Sequence, residues 1–201
     1  MARPRSFSHE RVADRLLDTF WRHGYGRTAI PNLTAATGLL PGSLYAAFGS
    51  KEAMFRVAIE RYIATIRAAV ATDATGVAGV RAVLDAVVRL TVHDPERRGC
   101  LLLNAVPEAA KLSAKTRNAM EAGLREMRRL LRARLREAAA ETGGRFDVER
   151  LTALCFAAAV AIRVLGRAGQ DRKLLQQIAD GAVAAVEAGR TETPPPAVAV
   201  R

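Results

Sequence analysis

"YGRTAIPNLTAATGLLPGSLYAAFGSKEAMF", residues 25–55, decides the fold. It contains two short segments with apolar faces, a glycine at the bend between them, and a Gly-Ser-Lys-Glu entry into a longer helix. The first segment is predicted to begin near Thr28, a good N-cap. Pro31 then falls in its first turn, where a missing N–H matters little. Leu33 and Ala36 give this segment an inner face. Leu44 and Phe48, at i and i+4, give the second, residues 41–48, its own. Helix nucleation is costly, so segments of about two turns cannot stand alone and must pack on each other and on a third helix. Gly38 lies at the bend, where a positive φ makes a sharp turn accessible. Two short helices joined at a glycine turn and backed by a third make a helix-turn-helix.

This packing directs Pro41, Gly42, Ser43, Tyr45 and Ala46 outward. All but Tyr45 are small. Small residues in the first turn of a recognition helix let it sit deep in the major groove of DNA, close to base edges. Pro41, Gly42 and Ser43 are placed there. The Tyr45 hydroxyl suits a phosphate. So does Lys51, whose ammonium can act together with the N–H groups that open its helix. Thr28 is expected to anchor a phosphate on the other side of the groove. Arg3 and Arg5 precede the helical region and suit a neighbouring minor groove or phosphate, the competing reading being a frayed tail.

Outward from this stretch the helical period continues. Residues 9–24 place Val12, Leu16 and Phe20 at i, i+4 and i+8, with Ala13 and Leu17 beside them, and Ser8 and Gly24 suit the two ends. From Lys51, with Ser50 as cap, a long helix carries Phe55, Ile59, Tyr62, Ile63 and Ile66 on one stripe.

These features together resemble the DNA-binding domain of TetR-family transcriptional regulators. The shared shape is Gly-Tyr, Thr28, the small-residue turn with Gly38, Gly42-Ser43 before Leu44-Tyr45, Phe48, and Ser50-Lys51-Glu52, with "LLDTFWRHGY" preceding it; the likeness covers about the first 60 residues. The resemblance implies an all-α homodimer, with Thr28, Tyr45 and Lys51 on phosphates and Gly42 and Ser43 near bases. It also implies a repressor that leaves a palindromic double-stranded operator when a small-molecule effector binds.

The fold is therefore expected to be all-α, with about nine helices. Residues 1–55 form the helix-turn-helix domain, 56–190 a ligand-binding and dimerisation bundle, and 191–201, rich in proline, a disordered tail. Residues 73–79 are read as a break. Helices follow at about 80–92, 100–112, 114–142, 148–167 and 174–189, with a Gly143-Gly144 stop. Pro107 should kink or end its helix.

A helical bundle can enclose an apolar pocket with a few polar groups. The candidate effector contacts are Cys100, Asn104, Met120, Phe156 and Arg163, and for each the competing reading is an ordinary place in the core or at the surface. Cys100 follows Arg97 and Arg98 near a helix start, so a reactive sensor thiol is one reading and a small buried hydrophobe the other. Arg163 interrupts an apolar helix and needs a partner. Ala158 and Ala161, with Leu175, Ile178, Ala182 and Val186, are expected to line a four-helix dimer interface, the competing reading being packing within one subunit.

Bulk properties narrow the alternatives. The 201 residues carry 31 Lys and Arg against 20 Asp and Glu, a net charge of +11, which suits a polyanionic partner without fixing a fold. Residues 1–67 hold ten basic and five acidic groups, so the first third is the more basic per residue. Two cysteines provide neither a disulfide framework nor a metal motif, and no cofactor is expected. No apolar run follows Arg3 and Arg5, so no signal peptide is expected, and the apolar run at 151–162 is too short to span a bilayer. A reduced, cytoplasmic setting and no membrane partner are expected. An enzyme, or a small-molecule-binding helical protein without a DNA role, is the reading from another class. The sequence has none of the phosphate-loop, nucleophile-elbow, zinc-protease or dinucleotide-binding motifs that would favour an enzyme.

Overall fold

A computed structural model of the chain describes residues 9–141 and 147–189. The expectations for Arg3, Arg5, Ser8, the Gly143-Gly144 stop and the tail lie outside these. The described residues contain nine α-helices and one 3₁₀ segment, joined by turns, with no strand among them. They are α1 (His9–His23), α2 (Ile30–Thr37), α3 (Pro41–Phe48), α4 (Lys51–Ala69), α5 (Gly76–Val92), α6 (Leu101–Ala105), the 3₁₀ segment Val106–Lys111, α7 (Ala114–Glu141), α8 (Val148–Arg167) and α9 (Arg172–Gly189).

The chain forms two compact units. One combines the described residues up to Ala68 with Cys100–Leu124; the other combines Ala69–Gly99 with the described residues from Arg125 onward. The boundary expected between residues 55 and 56 falls inside α4, within the first unit.

In the first unit α1, α2, α3 and α4 close over Leu16, Phe20, Leu33, Leu44, Phe55 and Ile59, all fully buried. Phe55 meets both Phe20 and Tyr25 with ring centroids 5.1 Å apart. Tilted aromatic pairs at this spacing add to the burial of their area. The distant segment contributes Cys100, Leu101, Leu102, Ala105, Leu112 and Met120 to this same core. Pro107 ends α6 as expected, and the chain continues as the 3₁₀ segment in which proline occupies the first turn.

In the second unit α5, α8 and α9 pack on one another around Val83, Leu84, Val87, Cys155, Ile162, Val183 and Val186. Burial pushes the Cys155 thiol up to about 11. Helix α5 begins at Gly76 rather than near residue 80. The Glu137 carboxylate accepts the Gly76 N–H at 3.1 Å, so a side chain from another helix satisfies a donor that α5 leaves open at its start.

Candidate nucleic-acid interface

Helix α2 starts at Ile30, and its N-cap is Ala29, not Thr28. Alanine offers no side-chain acceptor; instead the Asn32 side-chain oxygen accepts the Ala29 N–H at 2.8 Å. Pro31 lies in the first turn, as expected. At the other end Gly38 adopts φ 70° and its N–H donates to the Thr34 carbonyl, the left-handed cap that sharpens the turn into α3. Leu39 then turns partly into the core while Leu40 points away from it.

Thr28 requires a correction. Its side chain is fully buried, and its hydroxyl donates to the Gly24 carbonyl at 2.6 Å. It ties down the turn between α1 and α2 and does not present a hydroxyl to a phosphate.

Helix α3 runs from Pro41 to Phe48, as the pattern predicts. Leu44 is fully buried and Phe48 half-buried, while Pro41, Gly42, Ser43, Tyr45, Ala46 and Ala47 are exposed. Tyr45 is 44% exposed, so its ring stands clear of the core. A Cβ placed on Gly42 would meet no atom within 4 Å. Nothing inside the protein requires that position to be bare.

Helix α4 opens beside this face. The Ser50 hydroxyl accepts the Ala53 N–H at 3.1 Å and caps the helix, as expected. Lys51 is half-buried with its ammonium 4.6 Å from the centroid of the Tyr25 ring, a cation–π position. Burial lowers its pKa, and the nearby Glu108 carboxylate acts the other way. The next residue, Glu52, accepts the Ser113 N–H at 2.9 Å and the hydroxyls of Ser113 and Thr116. These donors hold its carboxyl below the usual range. Arg56 donates to the Thr116 hydroxyl at 3.2 Å. The start of α4 is thereby fixed to the start of α7, a link between residues some 60 positions apart that no local pattern reveals.

The candidate effector residues are divided between the two units. Cys100 and Met120 are buried in the core of the first unit, and Asn104 is half-buried. Phe156, half-buried, and Arg163, buried, belong to the second. Arg163 donates to the Thr91 hydroxyl at 3.1 Å and to the Gly99 carbonyl, so its guanidinium holds the end of α5 and the following loop. A cavity of about 340 Å³ lies elsewhere, between α5 and α9. Val88, Val92, Arg89, His93 and Arg172 help to line it, and none of the five candidates does.

Four of the six expected dimer residues pack inside the subunit. Ala158, Leu175, Ala182 and Val186 are buried within the subunit, against the other helices of the second unit. Ala161 and Ile178 are half-buried. The apolar surface left open lies round the side of each helix. On α8 it comprises Leu154, Ala157, Ala161 and Val164; on α9 it comprises Leu174, Ile178, Gly181 and Ala184. Periodicity finds an apolar helix, but α8 and α9 are apolar on more than one face, and their phase within the subunit decides which face remains open.

A bare, mostly uncharged helix presented by two others, with a capped basic helix start at its edge, defines a helix-turn-helix protein. Comparison with known proteins agrees. Residues 14–58 match the family model described as bacterial regulatory proteins, tetR family, and residues 76–188 match the tetracyclin repressor-like C-terminal domain. The chain belongs to the TetR family.

Among curated relatives, the HTH-type transcriptional repressor ComR of Escherichia coli K12 is 41% identical over 61 residues, 30% of this chain and 29% of ComR. Matches to the curated relatives span between 29% and 58% of those proteins' lengths. Solved structures align far more completely. A cysteine mutant of the TetR family transcriptional regulator CifR, complexed with 26-bp double-strand operator DNA, superposes with a TM-score of 0.79 at 31% identity, covering 91% of this chain and 99% of that one. A TetR transcriptional regulator from Chloroflexus aurantiacus gives 0.77 at 26% identity, covering 89% and 93%. The family comprises transcription regulators rather than enzymes. Among the described residues no helix is long and apolar enough to cross a membrane.

One exposed residue at the start of α3 was not singled out by the sequence pattern. Leu40, immediately before α3, is 75% exposed. The signal for it was available, since a leucine occupies the N-cap, where serine, threonine, asparagine or aspartate is preferred.

Proposed function

We propose that this protein is a cytoplasmic, homodimeric transcriptional repressor that binds a palindromic double-stranded operator and is released from it by a small-molecule effector. The observation that carries this reading is the outer face of α3. Pro41, Gly42, Ser43 and Tyr45 are exposed together, and Gly42 is bare without any internal need. In this reading the first turn of α3 enters the major groove, while Tyr45 and Lys51 take phosphates and fix the register. Arg3 and Arg5 extend the contact toward a minor groove. Residues 1–55 read DNA, and the remainder up to residue 190 receives the effector and the second subunit.

Dimerisation uses the open face of α8 and α9, with Leu154, Val164, Leu174 and Ile178 as its larger members. Gly181 supports this, because a Cβ there would meet no atom within 4 Å; its smallness suits close approach by a partner helix. Two subunits place two α3 helices on half-sites about 34–36 Å apart, or a multiple of that. An effector shifts this arrangement only by as much as it binds one spacing of the two helix-turn-helix heads, formed by α1 to α4 of each subunit, better than the other.

The test is selection of bound sequences from random duplex DNA at low ionic strength. An inverted repeat with that spacing is expected. Recovery of no enriched sequence overturns the proposal.

A further inference from the structure

Leu40 has no structural explanation within the chain. Its neighbour Leu39 packs partly against the core of the first unit, whereas Leu40 is 75% exposed, the highest value among the large hydrophobic residues described as exposed. It serves as N-cap of α3 with its carbonyl accepting the Leu44 N–H at 3.0 Å, but it has no side-chain acceptor for the open donors of the first turn. Its φ of −69° is open to any residue, so the backbone does not select leucine either.

Its surroundings limit what it can contact. It precedes Pro41, Gly42 and Ser43, the residues that open the recognition helix. Across the exposed positions 40–43 and 45–47, only Ser43 and Tyr45 carry a side-chain hydrogen-bonding group, and none is charged. A face so poor in donors and acceptors cannot read many base edges by hydrogen bonding. The apolar feature that a base edge offers in the major groove is the C5 methyl of thymine.

We propose that Leu40 is a specificity-determining residue that packs on a thymine methyl in each half-site, so that operator choice rests partly on apolar contact. This deepens the DNA-binding reading above and rests on it. Leucine at this N-cap forgoes a capping hydrogen bond and places a branched apolar side chain where it can cover a methyl group.

The experiment starts from the operator recovered by selection. Each thymine is replaced by deoxyuridine, one symmetry-related pair at a time, which removes only the methyl. At one position the wild-type protein is expected to lose about fourfold per methyl, or roughly 15-fold per pair, corresponding to ~0.8 kcal/mol for each buried methyl-sized group. Leu40→Ala is expected to bind the thymine operator more weakly by a similar factor and to be indifferent to the swap. Leu40→Ser should show the same indifference while unfolding at an equal or higher temperature, because it restores a capping oxygen; this separates lost recognition from a damaged head. The proposal is overturned if no swap affects the wild type, if Leu40→Ala retains the full methyl effect, or if the selected half-sites contain no thymine. Failure of the wild type to select any duplex would instead defeat the proposed function itself, so the two failures are distinguishable.

Discussion

Replacing Gly42 with alanine should make the protein more stable and a poorer DNA binder. Gly42 is the second residue of α3, and a Cβ there meets nothing within 4 Å. Its φ is not among the positive values of the chain, so alanine fits the backbone without strain. Glycine within a helix costs roughly 0.5–1 kcal/mol relative to alanine, and the lower part of that range suits a first turn. For a chain of this size 1 kcal/mol corresponds to about 2–4 °C, so Gly42→Ala should raise Tm by roughly 1–4 °C. Binding should move the other way. If α3 lies against base edges, an added methyl overfills a close-packed contact, at about 1–3 kcal/mol. Two half-sites double this, and at 1.4 kcal/mol per tenfold the operator affinity should fall at least about 30-fold. Urea denaturation and fluorescence anisotropy with the selected operator, at one fixed salt concentration, measure the two effects. A variant that gains stability and binds as tightly as the wild type would refute the claim that the bare position exists for DNA. A variant that loses stability would refute the open space around it.

Further outcomes test other parts of the structure. Lys51→Ala should weaken binding to all duplex sequences alike and reduce the slope of log affinity against log salt by about one for each half-site, measured by titration across salt concentrations. An unchanged slope would remove Lys51 from the phosphate contacts. Glu52→Gln should lower stability by about 0.5–1.5 kcal/mol at neutral pH, because its acceptor role toward Ser113 and Thr116 is weakened at a site that solvent partly screens. The Glu52 carboxyl is held below its ordinary 4.5, so its contribution is present above that pH and disappears as acid protonates it in the folded state. The difference between wild type and Glu52→Gln in denaturation should therefore narrow on acidification. Gly166→Ala should lower Tm, with a cost of about 1–3 kcal/mol, because a Cβ there would lie 2.0 Å from Thr91 Cγ2, and that buried threonine is also hydrogen-bonded to Arg163. Val164, 50% exposed on α8, should become a dimer breaker as Val164→Glu, detected as a monomer by light scattering with unchanged helix content by circular dichroism.

The sequence alone determined the local structure of the head. Leu16, Phe20, Leu33, Leu44 and Phe55 carry helical spacing strong enough to orient α1 to α4, and Gly38 and Ser50 mark a turn and a cap through their own backbone and side-chain chemistry. The outward face of α3 followed from that spacing, because on a two-turn helix the buried positions fix the exposed ones. Tertiary structure decided whatever depends on partners distant in the chain. Glu137 extended α5 back through an expected break, and Glu52 joined α4 to Ser113 and Thr116. The Thr28 hydroxyl turned inward because the Gly24 carbonyl was there to accept it. The segment Cys100–Leu124 joined the unit that contains the head, although sequence distance placed it with the bundle. On α8 and α9 apolar residues occur on several faces, so composition could not tell Leu175 and Val186, which pack inside, from Leu174 and Val164, which stay open. Periodicity reports that a helix has something to bury; which side it buries is settled by the neighbours it packs against.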